Sequence, residues 1–198
     1  MIGGNDMCGR YLIDDETYAD IWKILSDPDM MHEVAKGEVF PTNVAPVITL
    51  EGAAAIKWGF PHWKGTGVII NARAETALEK RMFFKPLMER RCVIPSSGFY
   101  EWSKVSGTKK KQKHLFRTPG EHTLNMAGMV NVFRDAQGRE YRAFVILTTA
   151  ANDSVAPVHD RMPVILMPDE QDRWISDIGY VSEVLHRPGI PLLCEKVS

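Results

Sequence analysis

The sequence predicts an α+β fold: one domain with a curved, mostly antiparallel, barrel-like β-core and flanking helices. Three observations predict it. Runs rich in Val, Ile and aromatics outnumber helical stretches. Strands and helices do not alternate strictly, as a doubly wound sheet requires. No linker or internal repeat divides the 198 residues, a length that suits one sizeable core.

The elements follow in chain order. "DDETYADIWKIL" sets Tyr18, Ile21, Trp22 and Leu25 at helical spacing behind Asp14 or Asp15 as cap. "PVITL" and "GVIIN" read as strands. "TALEKRMFFKPLMERR" places Thr76 three residues before Glu79, a capping-box pattern that predicts a helix from about Ala77. Pro86 should end or kink it. "RCVIPSSGFYEW", "HTLNMAGMVNVF", "YRAFVILTTA" and "MPVILM" are strand runs bounded by Gly, Pro or Asn. "PDEQDRWISDI" and "SEVLH" are short late helices. "KVSGTKKKQKHLFR" has six basic side chains from Lys104 to Arg117 and reads as a solvated hairpin loop that would add phosphate attraction beside a groove.

Composition narrows the function classes. The chain is 44% hydrophobic and 25% charged, an ordinary globular balance. A net charge of −1 excludes a protein that is basic all over, but not a local basic groove. Three cysteines, Cys8, Cys92 and Cys194, are odd in number and widely spaced, which argues against a disulfide framework and for a reducing, cytoplasmic location. No apolar run reaches the roughly 20 residues of a membrane span, and the N-terminus lacks a signal-peptide pattern. No Cys or His pair has metal-ligand spacing. A monomer without cofactor, metal or membrane partner is expected.

Polar groups beside strands are the candidate site residues, because burying them is costly unless they are hydrogen-bonded. Asn71, Arg73 and Glu75 follow an apolar run; Glu101 sits between Tyr100 and Trp102; His159, Asp160 and Arg161 precede a strand; Cys8 and Arg10 open "CGRY". Plainer readings exist for each. Asn71 can cap a turn, Glu101 can pair with a lysine on a strand surface, and His159 can be a satisfied loop histidine. Cys8 can be a small buried hydrophobe. Arg73 and Arg161 can pair structurally with Glu75 and Asp160. Trp58, Trp63 and Trp102 can be core. Cys92 reads as plain strand core, and Cys194 carries no assigned role.

Taken in register, "MCGRY", "PTNVAPV", "WGFPHW", "NARAET", "CVIPSSGFYEW", "LTTAAN" and "HDRMPVIL" resemble the SOS response-associated peptidase family over nearly the whole chain from Met7. The resemblance implies a sensor and shield of abasic sites in single-stranded DNA, joined to the lesion through a first-residue cysteine. It matches Cys8 to that nucleophile, Asn71 to the asparagine beside it, Glu101 to the catalytic glutamate and His159 to the active-site histidine. Arg73 and Arg161 match arginines that hold DNA phosphates, and Trp102 an aromatic near the DNA. Family members start at Met-Cys, whereas this chain has "MIGGND" in front. Residues 1–7 are therefore expected to be removed, as a cloning remnant, a misplaced start or a self-cleaved leader, leaving 8–198 as the family-like domain.

The expected chemistry needs that free end. An α-amine attacks the open-ring aldehyde and loses water to give an imine; the adjacent thiol closes a thiazolidine. An α-amino pKa of about 7.7–8.0 leaves a neutral fraction at neutral pH. Glu101 is the expected proton shuttle, His159 assists at the sugar hydroxyls, and Asn71 orients the end. Two alternatives remain open at this level: a cysteine peptidase with Cys8 as nucleophile, and a non-covalent single-strand binding module.

Overall fold

The computed structural model describes residues 9–24, 34–63 and 65–197. Cys8, Leu25 and the segment 1–7 lie outside the described residues. Strand β1 (Tyr11–Ile13) leads into helix α1 (Asp15–Ile24), followed by β2 (Gly37–Val39), β3 (Val44–Thr49), β4 (Gly52–Trp58), β5 (Phe60–Pro61), β6 (Val68–Ile69) and β7 (Asn71–Arg73). Helices α2 (Ala74–Ala77) and α3 (Arg81–Glu89) precede β8 (Arg91–Ser96), β9 (Gly98–Lys104), β10 (Lys111–Arg117), β11 (Leu124–Arg134) and β12 (Glu140–Ala150). The chain ends with β13 (Arg161–Pro163), β14 (Ile165–Leu166), α4 (Gln171–Ser176), α5 (Val181–His186) and β15 (Leu193–Val197).

The larger sheet runs β12–β4–β3–β8–β11 and closes on itself, because β11 also pairs with β12. The result is a five-stranded barrel, antiparallel except where β12 runs parallel to β4 and to β7. The second sheet, β15–β10–β9–β1–β2, is antiparallel throughout. The α+β, mostly antiparallel, barrel-like class expected from the sequence is what forms.

Period-two alternation sorts the barrel wall into two cores. Cys92, Ile94, Met126, Val130, Phe144 and Ile146 face inward, with Tyr11 and Phe99 of the second sheet packed against them. Val93, Ala127, Met129, Val145 and Leu147 face outward, under Phe83, Leu87, Trp174 and Leu185 of the helices. With both faces covered, β8 and the middle of β12 become continuous apolar runs. At Gly128 a Cβ would lie 2.6 Å from the Val145 carbonyl oxygen, so only glycine lets β11 and β12 approach there.

Arg91 ties the helices to this wall. Its guanidinium donates to the carbonyls of Leu87 and Met88 at the end of α3, and to those of Trp174 and Ile175 in α4. These are carbonyls that a helix end leaves without an intrahelical partner.

Several local expectations change. Asp14 does cap α1, accepting from the Thr17 amide at 3.0 Å. The buried positions are Thr17 and Ile21, whereas Trp22 is exposed. The Thr76–Glu79 capping box does not form. Thr76 belongs to α2, its hydroxyl is buried without a partner among the described residues, and the next helix starts at Arg81. Pro86 lies within α3 and does not end it. Of the basic run, Lys104 ends β9 and only 105–110 form a loop; from Lys111 it is β10, whose Leu115 and Phe116 are buried.

Candidate functional site

The C-terminal end of β12 gathers the first set of candidate residues. On one edge β7 sets Asn71 against Ile146 and Arg73 against Thr148. On the other, β13 sets Pro163 against Thr148 and Arg161 against Ala150. Parallel β7 needs no tight turn from β12, so it can carry polar residues to the barrel rim and pass directly into α2.

Arg161 is held firmly. Nη1 and Nη2 meet the two carboxylate oxygens of Glu75, and Nη2 also donates to the Thr148 carbonyl at 2.8 Å. The side chain is 13% exposed. The hydrogen bond from Arg161 holds the Glu75 carboxyl below the usual carboxylate range, against the opposing effect of burial. The expected partner, Asp160, instead lies 3.0 Å from His159 Nδ1. Arg73 is exposed and makes no ion pair among the described residues.

His159 sits one turn after Val155, whose carbonyl accepts its amide. The Arg161 amide points at His159 Nδ1 at 3.2 Å. A backbone N–H can only donate, so Nδ1 is the acceptor in that contact.

Glu101 enters from the other sheet. It is 3% exposed, on the inward face of β9 with Phe99. The β1–β9 register pairs Tyr11 with Phe99 and Leu12 with Gly98. The Tyr100 amide donates to the Arg10 carbonyl at 3.0 Å. Carried back two residues, that register sets Gly9 opposite Glu101, and Gly9 is the residue bonded to Cys8. The two sheets meet through aromatics. The Tyr11 ring is 5.1 Å from Trp58, whose Nε1 donates to the carbonyl of Ile70, the residue before Asn71. Wall and N-terminal strand are thus packed on each other.

Trp102 lies on the opposite face of β9 from Glu101. The Arg10 guanidinium is 5.0 Å from its ring and 4.6 Å from that of Phe40. Glu38 pairs with Arg10 at 3.3 Å and with Lys113, and Lys113 lies over the Tyr100 ring at 4.1 Å. The Lys113 hydrogen bond, opposed by burial, keeps the Glu38 carboxyl low. Phe40 is 41% exposed. It is fixed by the loop of "PTN": its amide donates to Asn43 Oδ1, and the Thr42 amide to the Trp58 carbonyl, both at 2.9 Å. Thr42 has φ of +75°, a conformation β-branched residues rarely adopt.

The structure therefore brings Asn71, Arg73, His159 and Arg161 to one rim and places Glu101 on the sheet packed against it. Trp102 joins a separate outer face. Arg10, Phe40, Glu38 and Lys113 were missed as a group; only "CGRY" and "PTNVAPV" hinted at them. His114, opposite Glu101 in β10, is also 6% exposed and bonded to Ser103 and Cys194. Among the described residues, no group of three or more His, Cys, Asp or Glu could hold a metal. None of the described helices is long and apolar enough to cross a membrane.

Comparison with known proteins follows this geometry. The family model described as SOS response associated peptidase (SRAP) matches residues 7–188. Abasic site processing protein YoaM of Bacillus subtilis is 34% identical over 185 residues, covering 86% of this chain and 79% of its own. Abasic site processing protein YedK of Escherichia coli is 36% identical over 120 residues, 60% of this chain and 52% of its own. A crystal structure of a Bacteroides thetaiotaomicron protein superposes with a TM-score of 0.82 at 24% identity, covering 96% of this chain and 92% of that one, which speaks to the fold alone. The chain belongs to the SOS response associated peptidase family.

Proposed function

We propose that the chain is a sensor and shield of abasic sites in single-stranded DNA, acting through a thiazolidine link between Cys8 and the sugar aldehyde. The observation that carries this is the β1–β9 register, which leads the chain at Gly9 alongside buried Glu101. The names of the relatives point to the same lesion.

The free α-amine of Cys8 adds to the aldehyde carbon, and the carbinolamine loses one water to give the imine. The thiol sulfur then adds to the imine carbon, and its proton ends on nitrogen. Glu101 protonates the departing hydroxyl and accepts a proton from the amine, the exchange of a general acid–base residue. His159 assists at the sugar hydroxyls. Asn71 orients the chain end without adding charge, and Arg73 holds a flanking phosphate. Trp102, with Phe40 and Arg10, forms a stacking surface for an unpaired base. The amine is free only once residues 1–7 are gone.

The test is a denaturing gel with an abasic single-stranded oligonucleotide, using protein whose mass shows that it begins at Cys8. A heat- and detergent-resistant adduct should form with abasic DNA and not with the intact strand. Glu101→Gln, nearly isosteric, should reach the same adduct roughly 10²-fold more slowly. Full crosslinking by a chain that retains Met1 to Met7 would overturn the mechanism. Peptide turnover without DNA and without any adduct would favour the peptidase.

A further inference from the structure

The contact that this reading leaves unused is the pair between Glu75 and Arg161. Arg161 is 13% exposed, while Glu75 is 45% exposed and sits on the four-residue helix α2. Both terminal nitrogens of Arg161 face the Glu75 carboxylate, and the remaining bond goes to a main-chain carbonyl. Nε is buried and has no partner among the described residues. A phosphate presents the same forked pair of oxygens as a carboxylate. It cannot simply join this arrangement, because the fork is already filled; it must replace Glu75. The pair is also electrically neutral, so it does not draw a passing strand, whereas neighbouring Arg73 is open to solvent.

Resting on the DNA reading of the site, we propose that Glu75 is a specificity-determining residue that competes with the DNA backbone for Arg161. An undamaged strand meets Arg73 and finds Arg161 occupied. A strand held at the lesion has a high effective concentration of phosphate beside Arg161. It displaces the exposed Glu75 side chain into water and gains the second contact. Binding by Arg161 thereby becomes conditional on capture of the lesion.

The experiment measures equilibrium binding of the full chain to an undamaged single-stranded oligonucleotide across a salt series. Glu75→Gln keeps the side-chain volume and removes the competing charge. It should bind the undamaged strand roughly threefold or more tightly at about 50 mM salt, with a salt slope steeper by about 0.7, the signature of one added phosphate contact. The gain should vanish in the Glu75→Gln/Arg161→Ala double variant. If Glu75→Gln stays folded yet binds no more tightly, the pair is structural and the proposal fails. If the gain persists without Arg161, the charge acts at a distance and the proposal also fails. Glu75→Ala should show the same sign and decides the matter if the glutamine variant does not fold. The crosslinking reading is tested separately, by whether the wild-type chain gives a denaturation-resistant adduct at all.

Discussion

Arg91 and Arg161 are both largely buried arginines, and they are held in opposite ways. Arg91, 5% exposed, is surrounded by four main-chain carbonyls from α3 and α4. Arg161 spends its fork on one flexible carboxylate at the rim. Carbonyls at helix ends cannot move away without unwinding the helix, and they carry no full charge. Burial lowers the Arg91 pKa, and Asp177 acts against that shift. Its environment therefore suits a permanent structural role. A side-chain carboxylate can rotate into water, so the Arg161 arrangement can be exchanged. The difference lies in whether the acceptors can leave.

The largest effect should come from breaking the fixed arrangement. Arg91→Met retains much of the apolar stem and removes every donor, leaving four carbonyls at buried helix ends. Charge-assisted hydrogen bonds of this kind contribute about 1.5–3 kcal/mol each, so a loss of roughly 3 kcal/mol or more is expected once partial rehydration is allowed for. Denaturant unfolding measures it. A loss below about 1 kcal/mol would mean that these carbonyls find water easily and that the helices need no such tie.

A second ion pair tests whether the helical side is built for permanence throughout. Glu170 accepts from Tyr180 Oη at 2.7 Å and the Met167 amide at 2.8 Å, and it pairs with Arg187. Burial alone would raise its carboxyl, but the bonds from Arg187, Tyr180 and Met167 outweigh burial and hold it at about 2. A depressed folded-state pKa contributes stability that is fully present above the ordinary value of 4.5 and is lost as pH falls towards 2. The contribution at neutral pH is on the order of 3 kcal/mol. Wild type should lose stability through that window more steeply than Glu170→Gln, by melting temperature against pH. Parallel acid limbs would assign the pair no net role.

The same contrast explains what the sequence could carry. The curved antiparallel core was legible because β8, β11 and β12 are apolar on both faces. Strand β4 was not, because "GAAAIKW" is rich in alanine, which has weak strand preference. β10 was hidden because its first half carries Lys111 and Lys113, while Leu115 and Phe116, on opposite faces, are both buried. The capping box failed because Thr76 is claimed by the short helix that follows β7. In the site, the motifs around Asn71, Glu101 and His159 stand out because polar groups interrupt apolar runs. The partner of Arg161 does not. Glu75 and Asp160 were both near in sequence to an arginine, and only the pairing of β7 and β13 across β12 brings Glu75 to Arg161, 86 positions apart. The Arg10–Phe40–Trp102 contact is of the same long-range kind.

The smallest expected effect sharpens the comparison at the rim itself. Arg73 and Arg161 flank the same residue of β12, Thr148, yet only Arg73 is exposed and without an ion pair among the described residues. An open guanidinium can neutralise a phosphate and release counterions; one already neutralised by Glu75 releases none until Glu75 leaves. On an undamaged single strand, Arg73→Ala should therefore flatten the salt dependence of binding by about 0.7 in slope, and Arg161→Ala by clearly less. On a strand crosslinked at an abasic site the two losses should become similar, read as protection of the flanking backbone from nuclease. Equal slopes for the two variants on undamaged DNA would place both arginines in contact with phosphate from the outset. The rim would then have no latch, and Arg161 would differ from Arg91 only in exposure.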